Sequence, residues 1–370
     1  MKKTIIAILG ISMLLLSPLI LITTTTADQP TKSGIVYTID NQASNSVLEF
    51  QAGPGSALTL VGTYATQGSG TGAKLASQGA VTLAQNGKWL LVVDAGSDQI
   101  TVFQVNHDGS LTFASIASSQ GTAPISVTEH DGLVYVLDNG TRTTPGNIAG
   151  FTLSHTGQLT FLSGSVQPLS GALNTSPEQV GFSNDGNVLV ATEKAAGVIN
   201  TYVVGNGGIA NPPTSISSNS AGPYGFTFTS QGYLVLSEAA AGTLSTNSVS
   251  DAGALRTLSG SIPDFGLAPC WVAASPDGDY VYTTNAHGGT ISGYAVSESG
   301  TLTLFSSVAS HALTPTLDLA FGSGSSFQNL YLYVLNGNSI TSFRVYNDGS
   351  IAQYGTVGGL PASATGLAAI

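Results

Sequence analysis

The stretch Pro269-Cys270-Trp271-Val272-Ala273-Ala274-Ser275-Pro276-Asp277-Gly278-Asp279-Tyr280-Val281-Tyr282-Thr283-Thr284-Asn285 holds one copy of the pattern that sets the fold. A proline opens a short apolar run, Asp277-Gly278 makes a tight hairpin turn, and a second apolar run follows from Val281 to Thr284. The opening proline recurs: Pro177, Pro223, Pro269 and Pro315 are separated by three equal steps of 46 residues, and Pro124 precedes them after a longer interval. Equivalent turns stand at Asn86-Gly87, Asp131-Gly132 and Asp185-Gly186, with second strands expected at Trp89 to Val93, Val134 to Leu137 and Val188 to Thr192.

A second landmark is a turn glycine followed by a small or polar residue and then an aliphatic one. Clear copies are Gly109-Ser110-Leu111, Gly157-Gln158-Leu159, Gly253-Ala254-Leu255, Gly300-Thr301-Leu302 and Gly349-Ser350-Ile351, with weaker ones at Gly55 and Gly207. From Gly55 to Gly349 the spacing averages about 49 residues, which suits a four-stranded propeller blade. The chain therefore reads as all-β, a seven-bladed β-propeller of four-stranded blades, with no helical periodicity beyond its first segment. The first unit, starting near Ile35, lacks an innermost strand. Gly366-Leu367-Ala368-Ala369-Ile370 is expected to supply it and close the ring, protecting edges that would otherwise pair with other chains.

Residues 1–27 read as an export signal: Lys2 and Lys3, an apolar stretch from Ile5 to Ile22, and Thr25-Thr26-Ala27 as a small-residue cleavage site. The apolar stretch approaches the length of a spanning helix, so retention as an anchor stays open as the alternative. Residues 28–370 form the single propeller domain, expected to be secreted or extracytoplasmic and monomeric. Cys270 is the only cysteine, so no internal disulfide staples this domain, and a buried strand thiol is the expectation for it. The formal charge of −11 becomes about −13 without Lys2 and Lys3, and the only arginines are Arg142, Arg256 and Arg344. That balance argues against nucleic acid, anionic membrane surfaces and phosphate clusters, and for neutral small molecules or cations.

The segments Tyr282-Thr283-Thr284-Asn285 and Tyr333-Val334-Leu335-Asn336, each ending a second strand, resemble the signature of the lactonase-type seven-bladed propellers. The resemblance covers roughly residues 35 to 370, counted by the repeat. That family includes 6-phosphogluconolactonases and carboxymuconate cyclases, so the resemblance implies opening or closing of a lactone ring. Family enzymes often carry Arg and His just after the residue that opens an innermost strand. Here those places hold Ile125-Ser126, Glu178-Gln179, Tyr224-Gly225, Cys270-Trp271 and Thr316-Leu317, with no Arg or His among them. A cytosolic phosphosugar enzyme is therefore disfavoured, and a small non-phosphorylated lactone is the expected substrate. The competing class is a non-catalytic secreted propeller that binds a ligand, cation or protein partner.

Candidate chemistry follows from the propeller itself, in which second-strand ends and innermost-strand starts share one face. The aligned second-strand ends are Asp40, Asp94, Asp138, Glu193, Glu238, Asn285 and Asn336, expected to surround a mouth of the central channel unless each caps its own turn. Glu193 is the candidate general base, with Glu178 and His287 as further catalytic candidates. Trp271, Asp318 and His311 join the ligand-binding set, and His107, His130 and His155 are expected to be solvated turn residues. No metal-ligand spacing is present and no cofactor is expected, with a divalent cation kept open as an alternative.

Overall fold

The computed structural model describes residues 34–52, 58–310, 315–322 and 330–370; residues 1–27, read above as an export signal, Gly55 and His311 lie outside them. Seven antiparallel sheets stand as blades around an axis. Their innermost strands are Thr365–Ala369, Val81–Ala84, Pro124–His130, Pro177–Phe182, Pro223–Phe228, Pro269–Ala274 and Thr316–Phe321. Each of these neighbours the next, and Thr365–Ala369 sits between Thr316–Phe321 and Val81–Ala84, so the cycle is closed. The C-terminal strand pairs antiparallel with Ile35–Ile39 through Val36 opposite Ala369 and Tyr37 opposite Ala368, completing blade 1 as the sequence implies. Among the described residues the only helical element is the 3-10 turn Asn206–Gly208. The outermost strand of blade 3 is split into Leu159–Phe161 and Gln167–Pro168.

The prolines work as strand openers because a first residue has no ladder hydrogen bond to donate. Immediately after each opener the register slips. In blades 5, 6 and 7 the shift falls between Pro223 and Phe226, between Pro269 and Val272, and between Thr316 and Leu319. In blades 3 and 4 it falls between Pro124 and Ser126 and between Pro177 and Gln179. Each shift is a β-bulge, one residue more than the partner strand, and a bulge re-aims side chains at the end of a sheet. The residues expelled are Ile125, Glu178, Tyr224-Gly225, Cys270-Trp271 and Leu317-Asp318; the dipeptides singled out in the sequence match in blades 5 and 6, contribute only their first residue in blades 3 and 4, and lie one residue early in blade 7, where Thr316 still pairs with Asn336.

Blades are stitched to one another through these bulges. Thr192 Oγ1 donates to the Tyr224 carbonyl at 2.6 Å, Ser237 Oγ to the Cys270 carbonyl at 2.5 Å and Thr284 Oγ1 to the Leu317 carbonyl at 2.7 Å. A second set of stitches uses the turn glycines. Tyr37, Tyr135 and Tyr282 hydroxyls donate to the carbonyls of Gly109, Gly208 and Gly349 in the following blade. Gly349 has φ +77°, and a Cβ there would stand 2.4 Å from the Tyr280 ring, so this turn needs glycine on both counts. The Thr192 and Tyr282 bonds are buried, and a carbonyl left without its donor there carries the full desolvation cost. Thr192→Val and Tyr282→Phe are each expected to lower unfolding free energy by about 1–3 kcal/mol. Denaturant titration checks this against Ser299→Ala in an exposed turn, expected within about 0.5 kcal/mol of the parent.

Candidate functional site

The axial channel is blocked at the face where the innermost strands begin. Blade 2 lacks the proline landmark, and the connection leading into its innermost strand folds inward instead. Trp271 Nε1 donates to the Ser77 carbonyl at 2.8 Å, Gln78 N to the Glu178 carbonyl at 3.0 Å, Ser77 Oγ to the Ile125 carbonyl at 2.8 Å and Thr365 Oγ1 to the Leu75 carbonyl at 3.1 Å. Leu75–Gly79 is thereby tied to blades 1, 3, 4 and 6 and acts as a plug. The bulges free backbone amides, and side chains take them up: Gln78 bonds both Val272 N and O, and Gln179 bonds both Phe226 N and O. Beyond the plug, a cavity of about 340 Å³ runs along the later halves of the innermost strands, lined by Gln78, Thr82, Thr128, Gln179, Thr227 and Asp318 among others.

Beside the plug, over blades 4 to 6, lies a second cavity of about 540 Å³. Its walls are Ala76 of the plug, Tyr224, Cys270 and Trp271 from two bulges, and Lys194, Ala239, Ala240, Ala286 and His287 from the turns after the second strands, with Leu267 and Ala268 at the entrance. Trp271 and Tyr224 pack edge to face with centroids 5.2 Å apart. The Lys194 ammonium lies 5.0 Å from the Tyr224 ring centroid, an attractive placement for a cation over an electron-rich face. His287 is exposed and its backbone is fixed by a bond to the Leu267 carbonyl.

Glu178 sits behind this wall, 1% exposed. Its Oε1 accepts from Ser176 Oγ at 3.0 Å and stands 4.0 Å from Lys194 Nζ, while Oε2 has no hydrogen-bond partner. Burial pushes this carboxyl up to about 8, against the opposing pull of Lys194. At neutral pH it is therefore largely protonated, and the Lys194 charge is left available to the cavity. Burial holds the Cys270 thiol up at about 12, an inert buried thiol as the sequence implies.

The second-strand ends do not converge on the channel. Asp94 accepts from Asn45, Thr66 and Thr101; Glu238 from Ser218, Ser220 N, Thr243 and Ser245. Asn285 donates to Thr290 and Ser292, Asn336 to Thr341, and Asp138 accepts from Asn147. Asp40 caps its own turn through Gln42 N and Ser46 N. Glu193, the candidate base, is fully buried, with Ser170 N, Ser170 Oγ and Asn200 Nδ2 on its carboxylate. These side chains point into their own blades because the last residue of a second strand faces the third strand and the preceding connection. They are latches, and Glu193, at 0% exposure, is shut away from any ligand in the cavity. What the structure does bring together is Glu178, His287 and Trp271, along with Lys194, which the sequence reading missed. The only signal for Lys194 was its place directly after a second-strand end. Asp318 lies apart, its carboxylate accepting from Leu319 N and Leu367 N. His130 packs on Phe182 beside its hairpin turn. No cluster of three or more His, Cys, Asp or Glu placed to hold a metal occurs among the described residues.

The model of the family described as lactonase, 7-bladed beta-propeller, matches residues 30–173. The chain resembles the lactonase-type seven-bladed propellers. Among solved structures, the periplasmic gluconolactonase of Pseudomonas aeruginosa superposes with a TM-score of 0.68 at 17% identity, over 90% of this chain and 98% of that one. A Bacteroides uniformis protein described as a candidate 6-phosphogluconolactonase gives 0.68 at 18% identity, over 90% and 99%. A functionally unknown protein from Desulfotomaculum acetoxidans gives 0.70 at 13% identity, over 91% and 98%. At these identities the likeness is one of fold. Among curated proteins none matches the chain in sequence.

Three buried carboxyls share one electrostatic consequence in this ring. Burial raises Asp138 and Asp318 to about 7 and Glu178 to about 8, from ordinary values of 3.8, 3.8 and 4.5. A raised folded-state pKa means that the fold binds the proton more tightly than the open chain does. The resulting stabilisation is complete below pH 4 and is lost as pH rises through 7 to 8. The thermal midpoint is expected to fall between pH 5 and pH 8.5, with a shallower decline in Glu178→Gln; a midpoint that rises over that interval would contradict this.

Proposed function

We propose that this chain is a secreted lactonase-like propeller acting on a small non-phosphorylated lactone in the cavity of Lys194, Trp271 and His287. The observation that carries the reading is Lys194: an ammonium set at the wall of a cavity, 4.0 Å from a carboxyl whose ionisation burial opposes. A lactone carbonyl placed against Lys194 gains a positive charge where its oxygen turns negative during attack. His287 takes a proton from water as the water oxygen bonds to the carbonyl carbon. The tetrahedral intermediate then breaks its ring C–O bond, and the leaving alkoxide takes that proton back, giving a hydroxy acid. The channel-mouth carboxylate of this reading is Glu178, acting through Lys194 and not as the base. The absence of Arg from the cavity wall supports a substrate without phosphate. Export is supported by the Lys2-Lys3 start and the apolar run behind it.

The plugged channel favours one alternative, a propeller that holds the same ligand without turning it over. Proton release by the purified protein on a panel of non-phosphorylated lactones separates the two. Lys194→Met and His287→Gln are each expected to lower kcat/KM by about 10²–10⁴. Turnover should decline as pH rises through about 8, where Glu178 ionises and neutralises Lys194, and Glu178→Gln should remove that decline. Glu193→Gln should lower stability but leave the turnover of folded protein intact. Parental rates in both Lys194→Met and His287→Gln would overturn the assignment, and lactone binding without proton release would favour the binding reading.

A further inference from the structure

The cavity walls carry information about the substrate that the lactonase reading does not use. This chain is rich in Ser and Thr, and its other large spaces reflect that: the axial cavity presents Gln78, Thr82, Thr128, Gln179, Thr227 and Asp318. The Lys194 cavity has no Ser, Thr, Asn, Gln, Asp or Glu in its wall. Five alanines, at 76, 239, 240, 268 and 286, make it wide and apolar, and Trp271 closes one side. Its charged or polar heads are Lys194 and His287, beside the inert Cys270 thiol and the buried Tyr224.

The entrance extends the apolar surface outward. Phe265 and Leu267 are the two most exposed large apolar side chains among the described residues, at 77% and 63%. They do not hang on a loose loop. Asp264, fully buried, accepts from Tyr294 Oη at 2.9 Å and Gly266 N at 2.8 Å, and the backbone pairs Ala286 N with the Ala268 carbonyl and His287 N with the Leu267 carbonyl. Phe265 is held at φ +59° and Ala268 at the same value, a left-handed conformation that non-glycine residues adopt only when surroundings impose it. A strained, anchored loop therefore holds Leu267 in the cavity wall that His287 also lines, with Phe265 exposed two residues before it.

We infer that the substrate is a lactone carrying an apolar chain or aryl group, with Lys194 at its carbonyl and the substituent running over the alanines to Leu267 and Phe265; this rests on the lactonase reading above. A polyhydroxylated sugar lactone is disfavoured by the same wall, because Lys194 and His287 can meet only some of its hydroxyls and the alanines offer the others no side-chain partner. An apolar chain gains from every methylene covered.

The test compares γ-butyrolactones with 4-alkyl chains from methyl to octyl against D-glucono-δ-lactone, reading proton release, with calorimetry on the matching 4-hydroxyalkanoate anions. The expected result is kcat/KM rising by up to about fourfold per methylene covered. The sugar lactone should be left untouched, and the chain-length slope should flatten in Leu267→Ser and Phe265→Ser. Both side chains face solvent, so these variants retain the fold, which circular dichroism checks. Turnover of the sugar lactone without the alkyl series would overturn this inference and leave the lactonase reading standing. Binding of the anions with a chain-length slope but no turnover would do the reverse. Neither turnover nor binding would overturn both.

Discussion

The ladder between Ile35–Ile39 and Thr365–Ala369 joins the two ends of the described ring, and every contact between blades presupposes it. An open propeller would expose two strand edges, each a row of unpaired amides and carbonyls that invites pairing with other chains. Closure is reinforced from the next blade: the Asp318 carboxylate accepts from Leu319 N in its own bulge and from Leu367 N in the closing strand. A buried carboxyl is a costly group to spend on this, and it persists because both its oxygens meet backbone donors. The Tyr37 hydroxyl then carries the closed blade 1 onto Gly109 of blade 2.

Within the closed ring the repeated β-bulge is the device that makes a site. It follows the opening residue in five blades and turns the next one or two side chains out of the ladder, which is how Glu178, Tyr224, Cys270 and Trp271 come to one face. The amides it frees have to be met, and Gln78 and Gln179 meet two of them with both ends of their side-chain amides. Gln78 belongs to the plug, so the hydrogen bonding that repairs a bulge in blade 6 also blocks the channel. The space for a ligand is thereby moved off the axis, to the side where alanines leave room.

Acidic residues do two kinds of work here. Glu193 and Glu238 have both oxygens met by hydroxyls, amide groups or backbone N–H groups, which binds each second strand to its surroundings. Glu178 is as deeply buried but has one oxygen without a partner and a lysine 4.0 Å away, and that difference in satisfaction, not in residue type, is what marks it.

The 46-residue proline steps, the turn glycines and the orphan C-terminal strand were enough to read seven four-stranded blades and their closure, because each signal is local and the repeat multiplies it. The face on which the cavity opens was legible too, and Glu178, Trp271 and His287 were among the candidates placed on it. Which acid turns inward was not. Pro177 pairs with Glu193, and one extra residue in the bulge swings Glu178 away from the position its ladder neighbours would predict. Along a strand a shift of one residue exchanges the two faces, so no pattern of residue types separates Glu193 from Glu178. The plug at Leu75–Gly79 and the meeting of Lys194 with Tyr224 depend on residues brought together from different blades. The sequence determined the blades because their hydrogen bonds lie within one repeat; the site was decided only by the ring, where side chains far apart in the chain share a cavity that no single repeat contains.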